Sequence, residues 1–238
     1  MRGYRNKRPG VHLALGLGVS ALIAGGDVWA VTLDYGLAYS GVYSDNINRS
    51  RTGGDEEFFN VFRALSALRE DTETVQAQLY SQIELRHYTQ GNYDNDVLLA
   101  LDGTARYVML PRRLTWLVQD RFTQLPIDPT FVSTPSNRQN TNSFTFGPDL
   151  TLAFSPANAF EFGARYNNTY YEVSDTTNNR FGLQGRFMHA VSPITQLSAN
   201  YEAEQVLYDE SSLNYDYTRQ DVFGRLRTRS LGNDIILD

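Results

Sequence analysis

From Val31 onward, apolar and polar residues alternate with a period of two. Val31, Leu33, Tyr35, Leu37, Tyr39 and Tyr43 share one phase with Gly41, while Thr32, Asp34, Ser40 and Ser44 fall on the other. Val75, Ala77, Leu79, Ile83 and Leu85 repeat the pattern against Gln76, Gln78, Tyr80, Gln82, Glu84 and Arg86. Further runs follow at 97–109, 114–118, 144–154, 160–166, 181–187 and 197–203. Alternation sustained over ten or so residues predicts long strands with one apolar and one polar face. The segments at 58–70 and 215–228 also read as strands, with an ambiguous phase, and no helical period stands out.

The connections alternate in length. Ser44 to Glu57, Gly91 to Asp96, Gln124 to Ser143, Ser174 to Asn179 and Asp209 to Asn214 are polar and read as loops. Between them lie tight turns near Glu70-Asp71-Thr72, Pro111-Arg112-Arg113, Ser155-Pro156-Ala157-Asn158, Ser192-Pro193 and Ser230-Leu231-Gly232-Asn233. Consecutive hairpins with loops on one side and turns on the other describe an all-β, up-and-down antiparallel meander. With aromatic residues near strand ends (Tyr35, Tyr43, Tyr107, Trp116, Phe122, Tyr166 and Tyr171), the pattern is that of a transmembrane β-barrel of about ten complete strands. A closed barrel is the strand solution that leaves no backbone group unpaired in lipid. A secreted soluble barrel or sandwich is the competing architecture, built from shorter strands with a solvated outer surface.

The first thirty residues read differently. Arg2, Arg5, Lys7 and Arg8 precede an apolar run from Val11 to Ala24, and Val28-Trp29-Ala30 places small residues where a signal peptidase cuts. Residues 1–30 are thus expected to be a signal peptide and 31–238 the barrel domain, in the outer membrane of a Gram-negative bacterium. Charge supports export over nucleic-acid binding. In residues 31–238, 17 Arg face 26 acids, a net charge of −9, and no Lys remains. Such a balance does not suit the neutralisation of phosphates. The expected partners are outer-membrane lipid, the barrel-assembly machinery and possible small solutes or polysaccharide, with no nucleic acid.

Two segments carry a resemblance. Gly41-Val-Tyr-Ser-Asp-Asn-Ile-Asn-Arg49 and Tyr215-Asp-Tyr-Thr-Arg-Gln-Asp-Val-Phe-Gly-Arg225 resemble strands of a group of proteobacterial outer-membrane barrels, some of them associated with exopolysaccharide or exosortase systems. The resemblance implies a barrel and an association with polysaccharide export, and it carries over no catalytic residue. Barrels of that kind usually close with a strand ending in an aromatic residue, whereas this chain ends Ile235-Ile-Leu-Asp238. The expectation is therefore a C-terminally truncated barrel, with ten complete strands plus the start of an eleventh. Because bacterial barrels have an even strand number, such a chain should leave its first strand without an outer partner.

Candidate chemistry is sparse. The absence of Cys excludes disulfides and thiolate metal sites. His87 and His189 fall on the apolar phase near strand ends, and neither has the serine and acid that a barrel lipase needs nearby in sequence. The chain is read as non-enzymatic, with no cofactor and no metal; Asp94-Asn95-Asp96 and Ser44-Asp45-Asn46 read as self-satisfying turns rather than calcium ligands. A barrel enzyme acting on lipid is the alternative. The polar phase holds the remaining candidates, expected to line a lumen: Glu84, Arg86, Arg106, Arg121, Glu161, Arg165, Arg186, Glu202 and Glu204. They suit either a cross-strand network that fills the interior or a water-filled path that selects solutes.

Overall fold

The computed structural model describes residues 31–49, 51–131, 134–209, 214–230 and 233–237. The expected signal peptide at 1–30 lies outside the described residues. Those residues form one antiparallel sheet whose spatial order is its sequence order: β1 (Thr32–Ser44), β2 (Glu57–Asp71), β3 (Val75–Tyr88), β4 (Asp96–Leu110), β5 (Leu114–Leu125), β6 (Gln139–Ser155), β7 (Asn158–Tyr171), β8 (Asn178–Ser192), β9 (Thr195–Tyr208), β10 (Tyr217–Ser230) and β11 (Asn233–Leu237). A single turn of 3₁₀ helix, Pro135–Asn137, interrupts the connection before β6. This is the all-β up-and-down meander that the period-two pattern predicts. β1 pairs only with β2, and the five-residue β11 pairs only with the turn-proximal part of β10, so the described sheet is open between them. The parity argument predicted this unpaired outer edge on β1.

Several boundaries differ from the sequence reading. β5 and β6 stay paired as far as Leu125 and Gln139, so the connection expected over 124–143 shrinks to 126–138. Polar residues such as Asn140 and Thr141 read as loop, yet a ladder does not need apolar side chains where water can reach it. β8 likewise begins at Asn178, whereas β10 begins only at Tyr217. The ambiguous strands acquire a phase from their neighbours. Arg63 is the Cα partner of Glu84, and Asp221 of Glu202, which puts the odd-numbered residues of β2 and β10 on the charged face.

The register also fixes the tilt. Thr32, Arg69, Gln78, Thr104, Gln119, Thr145, Asn167, Arg180, Val206 and Tyr217 are successive cross-strand partners. This row begins at the turn end of β1 and finishes at the loop end of β10. A drift of roughly 1.4 residues per strand, at about 3.3 Å per residue and about 4.8 Å between strands, corresponds to a tilt of about 45°. Strands in barrels are inclined by this amount.

The two faces are unlike. One carries Leu33, Leu37, Phe62, Ile83, Leu101, Phe122, Phe146, Leu152, Phe162, Leu183 and Val222, with two acids, Glu70 and Asp120, among them, and the other carries the remaining strand charges. On β3 near the loop end the charged face is the crowded one: Glu84 is 3% exposed, between Ile83 at 46% and Leu85 at 47%. Val61 and Val206 are buried on that same face. The charged face is therefore concave there and the apolar face convex. Of the expected girdle aromatics, Tyr171 is a correction: it pairs with Thr141 on the charged face, while its neighbour Tyr170 looks outward.

Candidate functional site: the charged concave face

Cross-strand registration places all nine sequence-selected residues on this face. Glu84 is the best enclosed of the nine. One carboxylate oxygen accepts a hydrogen bond from Arg63 Nε, and the other accepts one from Arg86 Nε at 2.6 Å. Two strands further on, Arg121 donates through Nε and Nη2 to a single oxygen of Asp102, at 2.9 and 2.6 Å. Arg165 Nη2 donates to both oxygens of Asp149 at 2.7 Å each. Arg186 donates to Asn200 Oδ1 at 2.8 Å and to Glu161 at 3.3 Å, and Glu204 lies 3.6 Å from Arg180. Arg106 and Glu202 are exposed and form no ion pair among the described residues.

Most of these partnerships join residues on adjacent strands, directly opposite or one diagonal step away, where antiparallel side chains reach each other. Guanidinium suits the task because its planar fork can hold a carboxylate with two parallel bonds. The result is a lattice of cations and anions along the face rather than a patch of one sign.

Sequence reasoning missed half of the lattice. Arg63, Asp96, Asp102, Asp149, Arg180 and Asp221 are partners in it. Asp102 and Asp149 could have been found by carrying the polar phase through β4 and β6, where they alternate with Leu101 and Leu150. Arg63 and Asp221 could not, because β2 and β10 have no clear phase of their own.

The loop end of the same face is tied down. Glu57 is fully buried; its carboxylate accepts hydrogen bonds from the backbone N–H groups of Thr89 (3.1 Å), Gln90 (2.9 Å) and Asn92 (3.2 Å). Gln139 repeats the device, its Oε1 accepting from Val173 and Ser174 N–H at 3.2 and 3.0 Å. In each case the first residue of a strand clasps the next loop along the rim. Burial holds the Tyr93 phenol in that rim above its ordinary range, with the Asp55 charge adding to the effect.

Comparison of the chain with protein-family models, curated proteins and solved structures gives no match. The residues themselves carry the functional argument.

His87 and His189 occupy the apolar face. His87 Nδ1 meets Asn95 Oδ1 at 3.0 Å, and His189 Nδ1 meets Asn158 Oδ1 at 2.8 Å. Ser155 accepts from the amide of Asn158 rather than joining the imidazole, so no Ser–His pair is formed there. Asn95 Oδ1 also accepts from Tyr88 N–H, which ties the Asp94–Asp96 turn to the end of β3. Among the described residues, no three metal-type side chains converge.

Proposed function

We propose that this chain is an outer-membrane β-barrel protein whose charged face lines a passive path for small polar solutes. The supporting observation is the two-faced, tilted register. On the convex face the apolar stretch runs from Val97 to Met109 on β4 and from Phe144 to Phe154 on β6. At the tilt above, these stretches span about 25 Å along the barrel axis, the height of the apolar band of outer-membrane barrels. Asn60, His87, Gln124, Asn142, Asn168 and Asn179 bound the band at the loop end, and Asn158 at the turn end.

A water-soluble barrel would bury its apolar side chains inside. Here Leu37 is 84% exposed and Leu183 62%, while charges occupy the enclosed side. An apolar belt of this size calls for lipid. The lattice of paired charges leaves a wall that water and polar solutes can wet. An association with polysaccharide export is supported by the resemblance of residues 41–49 and 215–225 alone.

Trp116 offers a direct test. It lies on the apolar face and stacks on Phe146 at 4.9 Å. With Trp29→Phe removing the other tryptophan, brominated lipid should quench Trp116 strongly in reconstituted protein, and liposomes should swell in small neutral sugars. Unquenched Trp116 fluorescence, with the protein in the aqueous fraction, would refute the membrane reading. Quenching without swelling would refute the path.

A further inference from the structure

The ladder between β6 and β7 is interrupted at mid-strand. Phe146 pairs with Tyr166 and Asp149 with Gly163, but Gly147 and Pro148 have no paired partners on β7. Proline is rare inside a sheet because it brings no N–H to the ladder. Pro148 leaves the Ala164 carbonyl without its backbone donor, and a side chain supplies one. Arg165 Nη1 donates to Ala164 O at 2.8 Å and to Pro148 O at 2.9 Å, while Nη2 holds Asp149. One guanidinium thus closes a seam that backbone bonds close on either side of it.

Glycines surround this latch. A Cβ on Gly147 would collide with the Ala164 carbonyl oxygen, so the two strands touch there only because position 147 is glycine. Gly182 faces Arg165 from β8, and a Cβ there would sit 3.7 Å from the Arg165 Cβ. The side chain that closes the seam therefore has small neighbours on both flanking strands. The two sides of the seam also differ in chemistry. Phe146, Pro148, Phe162 and Ala164 present an apolar rim on the convex face, while Arg165 and Asp149 stand on the charged face. The interrupted stretch from Phe146 to Asp149 runs roughly 10 Å along the strands, long enough for one acyl chain to cross once the two strands part.

We propose that the β6–β7 seam is a lateral portal between the charged face and the bilayer for an amphiphile with an anionic head and an apolar tail. Arg165 is its latch: an entering anion replaces Asp149 on the guanidinium, which swings off the Pro148 and Ala164 carbonyls as the tail passes between the strands. The proposal rests on the membrane-barrel reading above.

The chain has no cysteine, so an introduced pair is unique. Thr145 and Asn167 flank the seam and already touch, Asn167 Nδ2 donating to Thr145 Oγ1 at 2.7 Å. Thr104 and Gln119 lie in the same cross-strand row, at 3.4 Å, between the paired β4 and β5. The full chain in proteoliposomes is assayed for transfer of a fluorescent dodecanoic acid and of its methyl ester. Oxidised Thr145→Cys/Asn167→Cys should fall to the protein-free rate and recover on reduction, while oxidised Thr104→Cys/Gln119→Cys keeps the wild-type rate. Arg165→Gln should erase the preference for the acid over the ester. Equal transfer by the oxidised and reduced seam pair overturns the portal, as does equal loss in the control pair. A retained acid preference in Arg165→Gln overturns the role of Arg165. If sugar swelling and Trp116 quenching persist in the oxidised seam pair while transfer is unaffected, the portal alone falls. Absence of Trp116 quenching in the unmodified protein sinks the membrane reading instead.

Discussion

A guanidinium placed on either face of the sheet separates the membrane reading from a soluble one. Leu101 lies near the middle of the apolar stretch of β4 that runs from Val97 to Met109, and its cross-strand partners Ser81 and Phe122 are both on the convex face. Thr104 is three residues away on the opposite face, between Gln78 and Gln119. Leu152 also faces outward, but it stands three residues from the turn end of β6. A charge on the lipid side of a barrel costs about 2–4 kcal/mol at the midplane and about 0–1 near the interfaces. Leu101→Arg should therefore lower the folded-to-unfolded ratio by roughly 30- to 1,000-fold, at about 1.4 kcal/mol per decade. Leu152→Arg should cost less, and Thr104→Arg about 1 kcal/mol or less, because it joins a wetted wall. The assay is urea unfolding of protein folded into lipid vesicles, read by heat-modifiable gel mobility and Trp116 fluorescence. Equal losses at Leu101 and Thr104, or a larger loss at Thr104, would contradict the assignment of faces.

Three further outcomes follow from the same geometry. Glu57→Ala leaves the Gln90 and Asn92 N–H groups without their acceptor and Thr89 N–H with the Phe58 carbonyl alone; it should cost roughly 1–3 kcal/mol and expose that loop to protease, with Glu57→Gln milder in both readouts. In planar bilayers, Arg106→Gln and Arg121→Gln should each move the reversal potential towards cation preference, because each removes a positive charge from an exposed position on the charged face and the second also frees the Asp102 carboxylate; no shift in either would count against the lining of the path. Asp128 accepts hydrogen bonds from the Thr130 hydroxyl and N–H, which hold its carboxyl below the ordinary aspartate range. The carboxylate's stabilisation of that turn is thus present above the ordinary range and lost as pH falls through the lowered value, so NMR shifts of Thr130 should stay constant down to mildly acidic pH and change only below it.

Strand identity was legible because period two is a local property. β1, β3, β4 and β7 each declare a phase within six residues, and the structure keeps it. β2 and β10 do not: Phe58-Phe59 and Val222-Phe223 place apolar residues on both faces, and only pairing with β3 and β9 resolves them. Loop limits were misread where the ladder continues past the apolar band, as at Gln139 to Ser143. The charged face was legible as a set of residues but not as pairs. Glu84 with Arg86 can be guessed from spacing on one strand, whereas Arg63 with Glu84 depends on register. The seam at Pro148 was invisible for the same reason: proline in an alternating run signals an edge strand or a bulge, and nothing local says that a side chain from β7 replaces the missing donor.

The lattice and the seam share one physical cause. The described residues contain Arg and no Lys, and an ammonium could not play the part that Arg165 plays, holding two carbonyls and a carboxylate from one rigid plane. On a wall wetted by water, an isolated ion pair contributes little stability, commonly under about 1 kcal/mol. A lattice of such pairs instead fixes where each long side chain lies. It sets a carboxylate beside each of the paired guanidinium groups along the wall. Where the backbone itself lacks a donor, at Pro148, the same guanidinium chemistry reaches out of the wall and into the ladder. The wall's charges thus serve the sheet's own hydrogen bonding as much as any solute, which is why a single arginine can stand both in the lining and in the latch.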